Sequence, residues 1–492
     1  MDLISMNRRE FIGSSVAASV ASGIQPANAA TTTKARRKPN VLYVFSDEHR
    51  SSSLPGEPFN GAIAPTIASF AADNLAFRNC ISNYPVCSPY RGILMTGKWP
   101  YQSGIIDNAI QLPDDAGSIG KTFQDAGYLT SYIGKWHLAQ NDNVFIPKGP
   151  GRQGFADWHV WARTNPHFNQ SFTFDPDTGA KIQPQGYNCT LMTDMAVKFL
   201  AERKAERQAG NGANAETKPW FLILSWNPPH PPFGDAPPDE MKRYDPATMK
   251  LRPNVKLVPE HSKTLESEQK LRHAQQGYYA HISAVDAEFA RVLKALDETG
   301  EADNTIVVYT SDHGEMMGSH GYMDKRLPFE ESCKVPFFLR YPGVTPKGSE
   351  SEILFSAADI YPTLCGLAGV PVPEHCVGHD LSAAMHGKKV SAPESVFLMH
   401  ISKARASGGD ENVAPLFRGV RTSTHTYAVA DDGRWFLYNN QEDPFQQHNL
   451  INDPTQAALI KELDAVVLDW LKKAQDPFPY ASVVTRMSVH ST

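Results

Sequence analysis

The chain has 492 residues, of which 41% are hydrophobic and 20% charged, a globular balance rather than a disordered or fibrous one. Its 47 basic and 53 acidic side chains leave a formal charge of −6, which argues against a nucleic-acid partner and the basic stripe one requires. No apolar run reaches the ~20 residues of a membrane span, so no membrane anchor is expected.

Residues 1–29 read as a twin-arginine signal peptide rather than as part of the fold. Arg8-Arg9-Glu10-Phe11-Ile12 leads into a weakly apolar stretch up to Ile24, and Ala27-Asn28-Ala29 offers small residues at a cleavage site. This leader predicts a bacterial product, periplasmic or secreted, with the twin-arginine export machinery as a partner. The six cysteines (80, 87, 189, 333, 365 and 376) are too scattered for a disulfide-built scaffold, and no zinc spacing occurs. A single Cys365–Cys376 bridge is compatible with an oxidising compartment. Five of the six read as buried small hydrophobes. Cys87 stands apart.

Short continuous apolar runs predict buried parallel strands at Val41–Phe45, Leu129–Ile133, Trp220–Trp226, Thr305–Thr310 and Val335–Tyr341. Helical patterns lie between them. Ser118 caps one that ends at Gly127; Leu191, Met195, Phe199 and Leu200 mark a second. A third runs from Tyr278 to Leu296 and closes at Gly300, and Asp359 is read as the cap of a fourth. The fold class expected is α/β, a mostly parallel sheet covered by helices on both faces. The catalytic domain is placed at residues 38–388. A smaller α+β subdomain, 389–492, follows, with short antiparallel strands at Arg418–Ala430 and Arg434–Tyr438 and a helix over Pro454–Lys473. The Pro-dense segment Asn227–Pro238 is expected to be extended and stiff.

Four of these strands end in polar residues. Val41–Phe45 runs into Ser46-Asp47-Glu48-His49, Leu129–Ile133 into Gly134-Lys135-Trp136-His137, Trp220–Trp226 into Asn227-Pro228-Pro229-His230, and Thr305–Thr310 into Ser311-Asp312-His313-Gly314. In open α/β sheets the ligand site lies at the carboxyl ends of the strands. A lone residue of this kind is more often a cap or a satisfied core group; four strands in succession define a site. Asp47, Asp312 and Glu48 are hard oxygen donors suited to Ca²⁺, with Mg²⁺ or Mn²⁺ as alternatives, and His313 is either a further ligand or a partner for an oxyanion. Arg91, Lys135 and Lys325 are cations able to hold a tetrahedral anion. His137 and His230 are candidates for proton transfer. Together they suggest phosphoryl or sulfuryl transfer.

The nucleophile comes from Cys87-Ser88-Pro89-Tyr90-Arg91, followed by Thr96-Gly97. Here the sequence resembles the type I sulfatases of the alkaline-phosphatase superfamily, whose signature is C-x-P-x-R. The likeness extends over PNVLYVFSDE (39–48), GKWH (134–137), the Pro-flanked His230, SDHGE (311–315) and LYNNQEDPFQQHNL (437–450). It implies an alkaline-phosphatase-like fold and conversion of Cys87 to formylglycine by a formylglycine-generating enzyme. It also implies one divalent ion held by Asp47, Glu48, residue 87, Asp312 and His313. By the same resemblance, one hydroxyl of the aldehyde hydrate attacks sulfur. His230 and Lys325 serve the departing alkoxide, and His137 deprotonates the second hydroxyl. Arg91 holds the diol and Lys135 the sulfate oxygens. A thiol has no second hydroxyl with which to expel sulfate.

Two departures from the family pattern matter. Glu48 stands where many relatives have Asp; it either reaches the ion through its longer arm or falls outside its shell. His313 stands where many have Asn, a variant that resembles some sulfatases as well as phosphonate monoester and phosphodiester hydrolases, so that chemistry stays open as the alternative. A non-catalytic sulfated-glycan-binding protein is the third reading. The substrate expected is a sulfated carbohydrate, with Arg163 and His167, in the aromatic segment 158–174, as candidate substrate contacts. For the rings of that segment, packing of the loop onto the core is an equal reading.

Overall fold

The structure, a computed structural model, describes residues 37–57, 59, 61–140, 144–161, 166–169, 172–209, 218–402 and 414–489. The expected leader and Arg163 lie outside these residues. Residues 38–492 constitute one compact unit.

The main sheet is built from β1 (Asn40–Asp47), β2 (Leu75–Ile81), β3 (Leu129–Lys135), β4 (Asp157–Trp161), β5 (Thr173–Phe174), β6 (Lys181–Ile182), β7 (Trp220–Pro229), β8 (Thr305–Ser311), β9 (Lys334–Val335), β10 (Phe337–Arg340) and β11 (Ser349–Ser356). Their order is β11-β2-β10-β8-β1-β7-β3-β4-β5-β6, with β9 paired to β2. The four strands that carry the polar ends, β8, β1, β7 and β3, are consecutive neighbours, and all are parallel. Each is buried along almost its whole length because each is covered on both sides, and the two-residue period sorts its side chains between the two layers. Val41, Tyr43 and Phe45 face one core together with Phe123, Ile93 and Leu364. Leu42 and Val44 face the other, with Phe199, Val285 and Phe289.

The helices largely follow their sequence signals. Ser118 accepts from the Lys121 backbone N–H and starts Ile119–Asp125. The 32-residue helix Glu268–Thr299 is capped by Ser267 and stopped at Gly300, where φ is 70°. Asp359 does not cap the helix Ala357–Ala368: Ser356 is the N-cap, and Asp359 sits three residues inside, completing a capping box.

The run Val335–Tyr341 is not one parallel strand. Pro336 separates β9 from β10, and β10 lies antiparallel to both β8 and β2. A run buried on both faces carries no mark of its direction. The sequence reading also missed β2 and β11, because Arg78 interrupts the first and Ser349–Glu352 opens the second with polar residues. The two strands pair, and Arg78 meets Glu350 across them.

The C-terminal sheet is an antiparallel meander of β12 (Ser395–His400), β13 (Phe417–Thr422), β14 (His425–Ala430) and β15 (Gly433–Asn439). Phe397, Val420, Tyr427 and the helix residues Val467 and Leu471 belong to the same apolar cluster as Val41 and Phe45. The segment after residue 388 is therefore a second sheet on a shared core.

Candidate active site

The carboxyl ends of β1, β3, β7 and β8 converge on the start of the buried helix Cys87–Thr96. Asp47 is the last residue of β1. Its Oδ2 accepts from Lys135 Nζ at 2.5 Å and from Arg91 Nη2 at 3.1 Å, with all three side chains buried. Arg91 projects from the helix one turn beyond Cys87. It also donates to Asp312 Oδ2 at 3.1 Å, to Ser225 Oγ at 2.7 Å and to the Lys135 carbonyl oxygen at 2.6 Å. One guanidinium therefore ties together all four of these strands.

Cys87 Sγ lies 3.3 Å from His313 Nε2, 3.6 Å from Asp47 Oδ1 and 3.9 Å from Lys135 Nζ. His313 Nδ1 is 3.0 Å from the Gly314 carbonyl oxygen. A carbonyl only accepts, so this contact places the imidazole proton on Nδ1 and turns the Nε2 lone pair toward the sulfur and the carboxylates. Ligand atoms of Asp47, Cys87, Asp312 and His313 all lie within 4.8 Å of one another, and all four residues are buried. Two carboxylates, an imidazole with its lone pair turned inward and residue 87 form a donor set that fits one hard divalent ion.

Glu48 leaves the line of the strand with φ at 72°. Its Oε1 meets Lys325 Nζ and lies 3.4 Å from His230 Nε2, while its buried Oε2 has no partner among the described residues. Glu48 thus stands between the donor set and the two residues expected to serve the leaving group. Lys325 rises from a loop in which Asp324 and Arg326, on either side, both have positive φ. His137 follows β3 with φ at 56°, and its carbonyl oxygen accepts from Ser88 Oγ at 2.5 Å, which carries it beside residue 87.

The electrostatics sort the groups. Burial alone would raise the Asp47 carboxyl, but Lys135, His230 and Arg91 outweigh it and hold the group well below the usual carboxylate range. Burial and the charge of Asp47 push Asp312 up to about 6. Burial pulls Lys135 down, yet Asp47 and Cys87 more than compensate and leave it raised. Lys325 is drawn down to about 7 by burial, with Asp47 opposing. His230 is pushed down to about 3 by burial and by Lys135. Burial and Asp47 raise the Cys87 thiol well above its ordinary value, which makes it a poor thiolate nucleophile as it stands.

His167 does not line this site. Its ring is fully buried, Nε2 lies 2.7 Å from the His230 carbonyl oxygen, and the ring packs 4.6 Å from that of His281. The expectation of a substrate contact is corrected: an amphipathic ring on a loop was here drawn inward by a buried carbonyl. Trp158 and Trp161 are buried too, so these two rings of the segment pack onto the core. All six cysteines are free thiols, including Cys365 and Cys376. The sequence reading missed Ser225, hidden in an apolar strand, and Tyr278, whose hydroxyl donates to the Glu48 carbonyl oxygen at 2.6 Å from within a helix's apolar stripe. A lone hydroxyl inside an apolar run was the available signal.

Fold and site together define a hydrolase built for a tetrahedral anion at the carboxyl edge of a mostly parallel sheet. The sulfatase family profile matches residues 39–370, and that of the N-sulphoglucosamine sulphohydrolase C-terminal region matches residues 318–473. An ulvan-active sulfatase of Formosa agariphila is 33% identical over 447 residues, spanning 90% of this chain and 82% of that protein. An endo-4-O-sulfatase of Bacteroides thetaiotaomicron is 28% identical, spanning 89% and 93%. A solved sulfatase structure from work on glycosaminoglycan metabolism by B. thetaiotaomicron superposes with a TM-score of 0.77 at 26% identity, covering 91% of this chain and 98% of that one. The chain belongs to the sulfatase family, in the type I branch of the alkaline-phosphatase superfamily, and is a sulfuric ester hydrolase.

Proposed function

We propose that the protein is an exported, formylglycine-dependent sulfatase that removes sulfate esters from carbohydrate. The observation that carries this reading is Cys87, buried at the start of its helix among Asp47, Asp312, His313, Arg91 and Lys135, with its thiol raised out of useful range. Converted to formylglycine, residue 87 would supply a hydrated aldehyde as nucleophile. Asp47, Asp312, His313 and residue 87 would hold one divalent ion, Ca²⁺ from the hardness of the carboxylates, and that ion would supply Lewis acidity. Glu48 completes the set if its free Oε2 turns toward it.

The remaining roles belong to side chains. Arg91 fixes the reacting side chain relative to Asp47 and Asp312. Lys135 Nζ holds sulfate oxygens, its charge secured by Asp47. His230 Nδ1 lies 2.7 Å from the Pro231 carbonyl oxygen and so carries the ring proton, leaving Nε2 protonated only in the imidazolium form. With His230 held down to about 3 and Lys325 at about 7, Lys325 Nζ is the populated proton donor to the leaving alkoxide near neutral pH. His137, carried beside residue 87 by Ser88, takes up a proton there. The carbohydrate substrate is supported by the names of the relatives, and export to the periplasm by the twin-arginine leader. Among the described residues no helix is long and apolar enough to cross a membrane. Maturation and export would require a formylglycine-generating enzyme and the twin-arginine machinery.

A phosphonate monoester or phosphodiester hydrolase is the second reading, favoured by the Asp312–His313 pair. The test produces the protein alongside a formylglycine-generating enzyme, weighs the tryptic peptide containing residue 87, and compares 4-nitrophenyl sulfate with the phosphate ester. An aldehyde at residue 87 with preferred sulfate release is expected. An aldehyde with preferred phosphate turnover would select the second reading, and an unconverted thiol would overturn the mechanism.

A further inference from the structure

A second cluster of charged side chains lies beside the catalytic one and is not used by the chemistry above. Arg326 follows Lys325 directly, and its backbone N–H donates to the Pro85 carbonyl oxygen at 3.3 Å, two residues before Cys87. Its Nη2 lies 3.3 Å from Asp107 Oδ1, and its Nη1 lies 3.4 Å from His400 Nε2, at the end of β12. Asp107 precedes Asn108, whose Oδ1 accepts from the Ser88 backbone N–H at 3.0 Å. Tyr84 closes the group, donating to the Ile106 carbonyl oxygen at 3.0 Å and accepting from the Ile401 N–H at 3.3 Å. Each member is thus within one or two residues of a group placed in the active site, or fastened to the segment that leads into Cys87.

These side chains are as buried as the catalytic ones: Asp107 is 4% exposed, Arg326 5% and His400 1%, against 4% for His137 and 8% for Lys325. Their hydrogen bonding is incomplete. Among the described residues Asp107 Oδ2 and Arg326 Nε have no partner, and the contacts Arg326 does make with Asp107 and His400 are long. A buried ion pair kept for stability alone is expected to satisfy its donors and acceptors, because each orphaned atom costs free energy. A free N–H donor beside a free carboxylate acceptor matches a hydroxyl group, which accepts from one and donates to the other.

The charge balance selects among sugar substituents. Arg326 and Asp107 cancel, and burial pushes His400 down to about 4, so it is neutral near pH 7. The nearby Arg418 guanidinium is engaged by Asp476, and Lys325 by Glu48. Among the described residues, a carboxylate or second sulfate brought here would face Asp107 with no spare cation to offset it.

We propose that Asp107, Arg326 and His400 form a subsite that reads uncharged ring hydroxyls on the sugar bearing the scissile sulfate. This deepens the carbohydrate-sulfatase reading and rests on it. The test measures kcat/KM of the matured enzyme on 4-nitrophenyl sulfate, which has no sugar hydroxyl, and on a panel of monosulfated mono- and oligosaccharides. Native enzyme is expected to prefer at least one sugar sulfate. In Asp107→Asn and Arg326→Met the ratio of sugar to aryl kcat/KM is expected to fall about a hundredfold, with thermal unfolding as the check on folding. A native enzyme that prefers the aryl ester to every sugar overturns the subsite, and so does an equal loss on both substrates in the variants, which would mean that Arg326 only positions Lys325. Absence of sulfate release from any ester, with residue 87 converted, would instead overturn the sulfatase reading itself.

Discussion

Lys135 Nζ donates to Asp47 Oδ2 at 2.5 Å across the ends of two strands separated only by β7, with neither side chain reaching solvent. Two cations, Lys135 and Arg91, share this carboxylate, so the Asp47 charge is what makes their burial tolerable. In Asp47→Asn both cations lose their common counter-charge. Stability is expected to drop by about 3–5 kcal/mol, the cost of breaking a buried pair, as read from urea unfolding. Bound divalent metal, measured by elemental analysis after dialysis, is expected to fall as well. A variant as stable and as metal-loaded as the native protein would dissociate Asp47 from both roles.

The proton-donor assignment has a pH signature. Lys325, drawn down to about 7 by burial, loses its proton as pH rises through that value. For sulfate esters with poor leaving groups, kcat is expected to decline on the alkaline side of neutrality. Lys325→Arg should move that limb to higher pH, because a guanidinium stays charged, while lowering the maximum. An alkaline limb that Lys325→Arg leaves in place would assign it to another group.

His167 is expected to act through His230. His167→Ala removes the ring nitrogen that meets the His230 carbonyl oxygen at 2.7 Å, leaving a buried acceptor without its donor, at a cost of about 1–3 kcal/mol. On 4-nitrophenyl sulfate kcat should fall more than KM rises, and His167→Gln should recover part of the loss. A rise in KM alone would restore the substrate-contact reading.

Acid sensitivity should arise at a group outside the proposed chemistry. Glu330 is held down to about 2: burial opposes, but Arg421, whose Nε lies 2.8 Å from its Oε1, and Lys334 prevail. Its folded value lies below its unfolded one, so the stabilisation is complete above the ordinary glutamate range and is lost as pH falls toward 2. Between pH 6 and pH 3 the native protein should lose about 2 kcal/mol more than Glu330→Gln, by urea unfolding at each pH. Parallel losses in the two proteins would remove Glu330 from the account.

How much of this was legible depended on the kind of signal. Asp47, Lys135, His230 and Asp312 could be assigned to one edge because each follows a short apolar run, and parallel strands place their carboxyl ends together. Cys87 and Arg91 were legible through the resemblance of the C-x-P-x-R run to the type I sulfatase signature. The direction of β10 was not, since a strand buried on both faces looks the same either way round. Nor were β2 and β11, whose charged residues Arg78 and Glu350 meet across the pair. His167 was misread because a histidine on a polar loop does not announce a buried carbonyl opposite it.

The sequence by itself determined the α/β class and pointed to the edge and the nucleophile proposed for the chemistry, all from local signals: hydrophobic period, caps, residues just past strand ends and the C-x-P-x-R run. Only the tertiary structure decided that Glu48 meets Lys325 and His230, that Ser225 anchors Arg91, and that Arg326 meets Asp107 and His400. These contacts join residues 74 to 277 positions apart, and their partners are chosen by packing at the meeting of separate loops. No pattern along the chain encodes which buried charge will face which.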